Sequence, residues 1–235
     1  FGMQSDEPVI YQSRREPEYR AAFERLRDAG EIFPCWCSRS DLGAGEGTHH
    51  GACIAAPDPR REPAWRVRVP AATIEFEDTV YGKQKQDLRD GAGDFVVRRV
   101  EGWYAYQLAV VVDDAAQKIT EVVRGADLLE STPRQIHLQR ILSLPTPRYL
   151  HLPLVLDRNG RKLSKQDRSR PVDRNDPIPA LRAAFTFLGL ADQTCGLTGG
   201  PGALLRAAAL RFDASRLAAA VQSSGAAAFM SSAPV

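Results

Sequence analysis

Hydrophobic residues near the start of the chain recur at the spacing of an α-helix. The residues that share this spacing are Tyr19, Phe23 and Leu26. Ser13 and Glu16 are placed as in a capping box, and Gly30 follows as a typical helix end. The pattern therefore predicts an amphipathic helix over about residues 14–29.

Further along the chain, apolar residues alternate with polar ones, which is typical of strands with one buried face. The alternating apolar residues are Trp65, Val67, Val69, Ile74 and Phe76. Residues 95–97 are a third candidate strand. Together these segments predict a small, mostly antiparallel region over about residues 60–100.

A nearly continuous apolar run follows at residues 106–112. Such a run predicts a strand that is covered on both faces, as in a parallel α/β sheet. Residues 119–124 predict a second strand, the Thr-Pro pair at Thr132 predicts a helix start, and the apolar run 152–156 predicts a further strand. This order is typical of one half of a doubly wound α/β domain. The Ala- and Leu-rich sequence from residue 177 onward predicts helices.

The composition is that of a globular protein. Of the 235 residues, 43% are hydrophobic and 26% are charged, which allows one or two domains with a buried core and excludes intrinsic disorder. No apolar run approaches the roughly 20 residues that cross a bilayer, and residues 1–14 lack the pattern of a secretory signal. We therefore expect a cytoplasmic protein with no membrane partner. The net charge of +2 neither requires nor excludes a nucleic-acid partner.

Cysteine and histidine residues form a cluster in the first quarter of the chain. The cluster consists of Cys35, Cys37, His49 and Cys53. Thiolate and imidazole are the ligands that Zn²⁺ prefers, and four of them predict a closed structural site with no open position for catalysis. His50 is an alternative ligand, and three reduced, buried cysteines without a metal are the alternative interpretation. Cys195 lies apart from the cluster, and we expect it to be structural.

Two lysines with a small hydroxyl residue between them follow a turn near residue 160. Lys162 and Lys165 flank Ser164, and this spacing can bring both ammonium groups to one anion if the loop wraps around it. A basic loop is by itself a weak signal, because most such loops are solvated surface. The sequence contains no GxxxxGK[ST] phosphate-binding loop.

The segment 162–166, Lys-Leu-Ser-Lys-Gln, resembles the Lys-Met-Ser-Lys-Ser loop of the class I aminoacyl-tRNA synthetases. The runs 106–114 and 123–129, together with the cysteine cluster, are similar to the glutamyl/glutaminyl branch of these enzymes. The similarity is greatest to a short glutamyl-tRNA synthetase-like family, because the chain after Gln166 is too short for an anticodon-binding domain.

The resemblance implies an α/β fold, with a class I Rossmann-type core, a zinc-containing insertion and a C-terminal helical segment. The implied division gives residues 1–34 to the remainder of the first Rossmann half and 35–105 to the zinc-containing, acceptor-binding-like insertion. Residues 106–170 form the second Rossmann half with the lysine loop, and 171–235 form the helical region.

The resemblance also implies roles for individual residues. Tyr106 and Arg124 match positions that contact substrate glutamate, and both stand at predicted strand ends, where open α/β sheets bind ligands. Lys165, with Lys162, would stabilise charge on the phosphates of ATP bound with Mg²⁺. The metal ligands of the family's structural Zn²⁺ site match Cys35, Cys37, His49 and Cys53.

The implied activity is ATP-dependent activation of glutamate, followed by glutamyl transfer to queuosine in the anticodon of tRNA(Asp). The implied partners are glutamate, ATP and that tRNA, and we expect a monomer. The alternatives are a glutamyl-tRNA synthetase core that charges tRNA(Glu), a non-catalytic zinc-containing RNA-binding module, and a nucleotidyltransferase for another acid.

One motif of the class I synthetases is missing from the chain. No His-Ile-Gly-His segment occurs, and the His-His-Gly sequence at His49 lies within the cysteine cluster instead. We expect the motif, and the N-terminal part of the Rossmann core, to lie upstream of Phe1. Because half of the ATP site would then be absent, we also expect the chain alone to have little activity.

Overall fold

The structure is a computed structural model, and it describes residues 1–38, 40–42, 49–156, 162, 172–219 and 221. In chain order the helices are α1 (Glu16–Asp28), α2 (Leu88–Gly91), α3 (Tyr106–Ala116), α4 (Thr132–Ile141), α5 (Ile178–Phe187), α6 (Ala191–Thr194) and α7 (Pro201–Ala209). The strands are β1 (Ile32–Cys35), β2 (Ala64–Val67), β3 (Thr73–Asp78), β4 (Gly82–Asp87), β5 (Val96–Arg98), β6 (Glu121–Gly125) and β7 (Arg148–Leu152). Short 3₁₀ helices cover Gln12–Arg14 and Ala126–Ser131.

The strands form two sheets. The smaller sheet has the order β1-β2-β5 and is antiparallel throughout. The larger sheet has the order β4-β3-β7-β6, in which β3 is antiparallel to β4 and parallel to β7, and β7 is parallel to β6. Helix α4 connects β6 to its parallel neighbour β7, as the α/β prediction requires.

The larger sheet joins two of the predicted segments. Strands β3 and β4 belong to the segment predicted as the insertion, whereas β6 and β7 belong to the predicted second Rossmann half. The division into four segments therefore stays a prediction.

Helix α1 confirms the helix predicted over residues 14–29, but the capping box is wrong. The residue before the helix is Arg15, and no side chain caps the first turn. Glu16 instead pairs with Arg20 one turn later, at 2.6 Å. Ser13 belongs to the preceding 3₁₀ helix. The electrostatic pairing along the helix thus replaces the predicted reciprocal cap.

The run at residues 106–112 is a helix, so the strand prediction is wrong. Helix α3 begins at Tyr106 and continues through Ala116, beyond the apolar run. Leu108 and Val111 are buried in the main core, and Asp113 is buried on a different side of the helix, against Tyr19 of α1. A short run that is apolar on most sides does not reveal its period, and only its continuation into the acidic and Ala-rich residues gives it helical length.

The main core lies between α1, the smaller sheet, α3 and α4. Its fully buried members include Leu26, Val67, Leu108 and Leu138, one from each of these elements. A second apolar cluster joins α5 to α7 through Phe185 and Leu204. None of the described helices is long and apolar enough to cross a membrane.

A buried carboxylate holds the N-terminal segment against α3. Asp113 accepts hydrogen bonds from Gln12 Nε2 (2.9 Å), from Arg15 Nε (2.6 Å) and from the Tyr19 hydroxyl (2.8 Å). Burial, and then the hydrogen bond to Asp113, raise the pKa of Tyr19 to about 12. The contacts tie α1 to the helix that begins at Tyr106.

Helices α3 and α4 are each followed by a residue whose backbone has the left-handed conformation that favours glycine, although neither residue is glycine. Helix α3 ends with the Ile119 amide bonded to the Asp114 carbonyl and the Lys118 amide bonded to the Ala115 carbonyl, with Lys118 at a φ of 55°. Helix α4 ends in the same way at Ser143, with a φ of 52°. These are Schellman motifs, in which a left-handed residue other than glycine is strained.

Candidate functional site

The site lies where the parallel strands β6 and β7 end. Arg124 stands next to the last residue of β6, and the register of the sheet places it directly opposite His151 of β7. The carboxyl ends of parallel strands are where open α/β sheets bind their ligands. Arg124 therefore occupies the predicted edge of the sheet.

The guanidinium of Arg124 is held by uncharged acceptors. Its Nε donates to His151 Nε2 at 2.9 Å, and its Nη1 donates to Gln135 Oε1 at 2.8 Å. Its Nη2 donates to Thr132 Oγ1 at 2.8 Å and to the Leu128 carbonyl at 3.3 Å. None of these bonds neutralises the positive charge, so the half-buried cation is fixed in position and available to an anion.

His151 is in turn bonded to a buried carboxylate. Its Nδ1 lies 2.6 Å from Asp78 Oδ2, and both side chains are fully buried. Asp78 also accepts hydrogen bonds from the Tyr81 amide at 2.9 Å and from the His151 amide at 3.1 Å. A line of contacts thus runs from the end of β3 through His151 to Arg124.

Tyr106 is the first residue of α3 rather than the end of a strand, and its side chain is 46% exposed. The next residue, Gln107, accepts a hydrogen bond from Gln135 Nε2 at 2.9 Å, and Gln135 also binds Arg124. The first turn of α3 is therefore connected to Arg124 through one glutamine.

Tyr149 has both Arg124 and Tyr106 among its electrostatic neighbours. Burial raises the pKa of Tyr149, and a hydrogen bond from Gln139 and the charge of Arg124 oppose the rise. The charge of Tyr106 also acts to raise the pKa of Tyr149. The Arg124 guanidinium carbon lies 5.5 Å from the centre of the Tyr149 ring. Burial also raises the pKa of Asp114, and the charge of Arg124 opposes that rise.

Of the two predicted lysines, the structure describes Lys162. Its ammonium group lies 2.5 Å from Asp127 Oδ2 at the surface, and its backbone pairs with Leu156. Asp127 follows closely after Arg124 in the chain, so Lys162 lies near the end of β6. Lys165 lies outside the described residues, and its approach to Arg124 stays a prediction.

The predicted metal ligands come together in the structure. The ligand atoms of Cys35, Cys37, His49 and Cys53 all lie within 4.8 Å of one another. Tetrahedral Zn²⁺ with Zn–S bonds of about 2.3 Å would separate its ligand atoms by roughly 3.8 Å, so the group is close to the required size. His50, the alternative ligand, is exposed and is not part of the group.

The surroundings of His49 fit a metal site as well. Its Nε2 is buried and has no hydrogen-bond partner, whereas its Nδ1 lies 3.0 Å from Asp94 Oδ2. A carboxylate on the far side of the ring is the usual partner of a metal-bound histidine, because it fixes the ring and leaves the other nitrogen free to bind. This nitrogen is therefore free to serve as the fourth ligand of a metal.

The thiols of the cluster differ in their environments. Burial raises the pKa of Cys53 to about 12. Burial acts to raise the pKa of Cys37, but hydrogen bonds from the amides of Ala55 and Ile54, together with those to Cys35 and Cys53, lower that pKa overall. Cys195 is exposed and lies outside the cluster.

The comparisons with known proteins define the class. The family model "tRNA synthetases class I (E and Q), catalytic domain" matches residues 1–190. The chain belongs to this family, the class I tRNA synthetases for glutamate and glutamine. The resemblance that the sequence motifs indicated is confirmed.

Curated relatives narrow the similarity to one kind of enzyme. The chain is 51% identical over 218 residues to the glutamyl-Q tRNA(Asp) synthetase of Xanthomonas campestris pv. campestris (strain 8004), covering 92% of this chain and 72% of that protein. It is 57% identical over 190 residues to the enzyme of the same name from Xanthomonas axonopodis pv. citri (strain 306), covering 80% and 62%. For that of Burkholderia cenocepacia (strain HI2424), the identity is 50% over 204 residues, covering 82% and 68%.

Solved structures support the fold. A glutamate-tRNA synthetase from Elizabethkingia anophelis matches with a TM-score of 0.62 at 20% identity, covering 82% of this chain and 49% of that chain. A glutamate tRNA ligase from Elizabethkingia meningosepticum CCUG26117, solved with its amino acid, matches with a TM-score of 0.57 at 23% identity, covering 68% and 38%. The described core therefore has the class I synthetase α/β fold.

Sequence reasoning missed the residues that hold the functional groups. Gln135 and His151 contact Arg124, Asp78 holds His151, and Asp94 supports His49. A histidine within the buried strand β7 was a usable signal, because buried polar residues need partners. The partners themselves are distant in the chain and gave no such signal.

Proposed function

We propose that the protein activates glutamate with ATP and transfers the glutamyl group to queuosine in the anticodon of tRNA(Asp). Curated relatives that are 50–57% identical to this chain are named for a glutamyl-Q tRNA(Asp) activity. The chain covers 62–72% of the lengths of these relatives.

The observation that carries the proposal is that, among the described residues, only uncharged acceptors hold the guanidinium of Arg124. Its acceptors are an imidazole, an amide, a hydroxyl and a carbonyl, so the guanidinium keeps its full charge. The γ-carboxylate of glutamate would pair with it through charge-assisted hydrogen bonds, whereas the neutral side-chain amide of glutamine would gain much less. Tyr106 would orient the same substrate with its hydroxyl group.

The first step of the proposed reaction forms the adenylate. A carboxylate oxygen of glutamate attacks the α-phosphorus of ATP, a new P–O bond forms, and the bond to the departing pyrophosphate breaks. Lys165 and Lys162, with Mg²⁺ bound to ATP, would stabilise the charge that develops on the phosphates. In the second step a nucleophilic group of queuosine attacks the carbonyl carbon and AMP leaves.

Cys35, Cys37, His49 and Cys53 would hold a structural Zn²⁺. The orphaned Nε2 of His49 supports this assignment, because a buried nitrogen without a partner is costly unless it binds something. The metal would stabilise the segment between β1 and β2. Four protein ligands leave it no open position, so we assign it no part in the chemistry.

The first test measures the exchange of labelled pyrophosphate into ATP by the complete protein. We expect exchange with glutamate and much less with glutamine or aspartate. Arg124→Gln should raise the KM for glutamate and leave the KM for ATP nearly unchanged, whereas Arg60→Gln, a surface change, should alter neither. Exchange that is independent of glutamate would contradict the proposal.

The second test finds where the glutamyl group is attached. Labelled glutamate is supplied with tRNA(Glu), or with tRNA(Asp) that carries or lacks queuosine, and each tRNA is then cut into fragments. We expect label in the anticodon fragment of the queuosine-containing tRNA alone. Label at the 3′ terminus of tRNA(Glu) would favour the synthetase alternative, and RNA binding without any exchange would favour the non-catalytic module.

A further inference from the structure

We propose that Asp78 and His151 are a positioning pair, which fixes the Arg124 guanidinium in the orientation that binds the substrate carboxylate. The proposal rests on the proposed function, because it takes Arg124 as the carboxylate-binding group. It adds two residues that lie behind Arg124 and are out of reach of the substrate, since both side chains are fully buried.

The sheet itself aligns the three residues. Asp78 is the last residue of β3, His151 lies in the central strand β7, and Arg124 lies opposite His151 in β6. The contacts of 2.6 Å and 2.9 Å run across neighbouring strands, so the rigidity of the sheet is transmitted to the guanidinium. Backbone amides of Tyr81 and His151 hold the carboxylate of Asp78 in turn.

The hydrogen bonds determine which nitrogen of His151 carries the proton. The guanidinium of arginine can only donate, so His151 Nε2 must accept from Arg124 Nε. The proton of the neutral imidazole is then on Nδ1, which donates to Asp78 Oδ2. Asp78 therefore selects the tautomer that can hold Arg124.

The imidazole also keeps the two charges apart. Asp78 contacts the ring of His151 and not the guanidinium of Arg124, so the cation is oriented without being paired by an acid. Four of its five N–H groups are used by the described acceptors. A substrate carboxylate would take the remaining Nη1 hydrogen and compete with the Leu128 carbonyl, which has the longest of the four bonds.

Two substitutions at His151 distinguish the roles of its two ring nitrogens. In His151→Gln the side-chain oxygen can accept near the position of Nε2, so the bond from Arg124 is kept. In His151→Asn the side-chain amide can donate near the position of Nδ1, so the bond to Asp78 is kept and the bond to Arg124 is lost. Asp78→Asn is nearly isosteric and presents an amide to Nδ1, which favours the wrong tautomer.

The experiment measures glutamate-dependent pyrophosphate exchange by the complete protein. We expect His151→Asn and Asp78→Asn to raise the KM for glutamate by about 10- to 100-fold, as for a lost bond to a charged group, with the KM for ATP within about twofold. His151→Gln should stay within a few-fold of the parent. His137→Asn removes another buried imidazole, on α4, and should leave the KM for glutamate unchanged.

The outcomes are distinct. Equal KM values for glutamate in the parent, His151→Asn and Asp78→Asn would overturn the proposal, and so would a loss in which His151→Gln and His151→Asn behave alike. A fall in kcat with unchanged KM values would show a structural role and would also overturn it. Thermal melting checks that each variant folds, and Asp78→Asn serves if the His151 variants do not. A parent without glutamate-dependent exchange would instead refute the proposed function.

Discussion

Asp94 offers a sharp test of the metal site, because it touches no ligand atom that would bind the metal. Its Oδ2 accepts from His49 Nδ1 and from the Gly51 amide, both at 3.0 Å, and its Oδ1 accepts from the Val69 amide at 2.8 Å. In Asp94→Asn the new oxygen can still accept from Val69, but the new amide faces His49 Nδ1. The proton of His49 then moves to Nε2, the nitrogen that should bind Zn²⁺.

The size of the effect follows from that change of tautomer. Loss of the carboxylate behind a metal-bound histidine typically weakens metal binding 10- to 100-fold, which corresponds to roughly 1.4–2.7 kcal/mol. We therefore expect the affinity of Asp94→Asn for Zn²⁺ to be about 10- to 100-fold lower than that of the parent.

The assay is competition for Zn²⁺ between the complete protein and a chromogenic chelator. Asp58→Asn is the matched control, because Asp58 lies in the segment between β1 and β2 that also carries His49 and Cys53, and its carboxylate contacts Arg60 at the surface. Parent and control should have equal affinities. An unchanged affinity in Asp94→Asn, or equal weakening in both variants, would refute the role of Asp94.

Two further predictions concern stability. The pKa of Tyr19, raised to about 12 from 10.0, adds stability that is fully present below pH 10 and is lost as the pH rises through about 12. Tyr19→Phe should therefore be less stable than the parent at pH 9, because Asp113 loses a donor, but should lose less stability between pH 10 and 12. Urea unfolding at several pH values measures this, and parallel pH profiles would contradict it. Lys118→Gly should stabilise the protein by roughly 0.5–1 kcal/mol, since it relieves the strain at φ 55° but loosens the unfolded chain. A lower melting temperature than the parent's would contradict that reasoning.

The sequence predicted best what depends on residue type and short spacing. The metal ligands Cys35, Cys37, His49 and Cys53 could be recognised because their side chains have few other common roles in such a cluster. Arg124 could be placed at the end of a strand because the polar residue directly follows an apolar run. The structure brings the four ligands together and puts Arg124 at the carboxyl edge of the sheet.

The errors have physical reasons. Residues 106–112 are almost all apolar. Such a run can be buried either as a helix or as a strand, so its pattern did not distinguish the two. The partners of the functional residues are distant from them in the chain: Asp78 and His151 are 73 positions apart, and His49 and Asp94 are 45 positions apart. Such pairs are determined by the order of strands and by packing, which local patterns do not contain.

Equilibrium binding of the amino acid tests the central claim most directly, since it needs neither ATP turnover nor tRNA. Calorimetric titration of the complete protein should show glutamate binding at least about tenfold more tightly than glutamine, and Arg124→Gln should remove that preference. Equal affinities for the two amino acids in the parent, or a preference that survives in Arg124→Gln, would show that the guanidinium of Arg124 does not recognise the substrate.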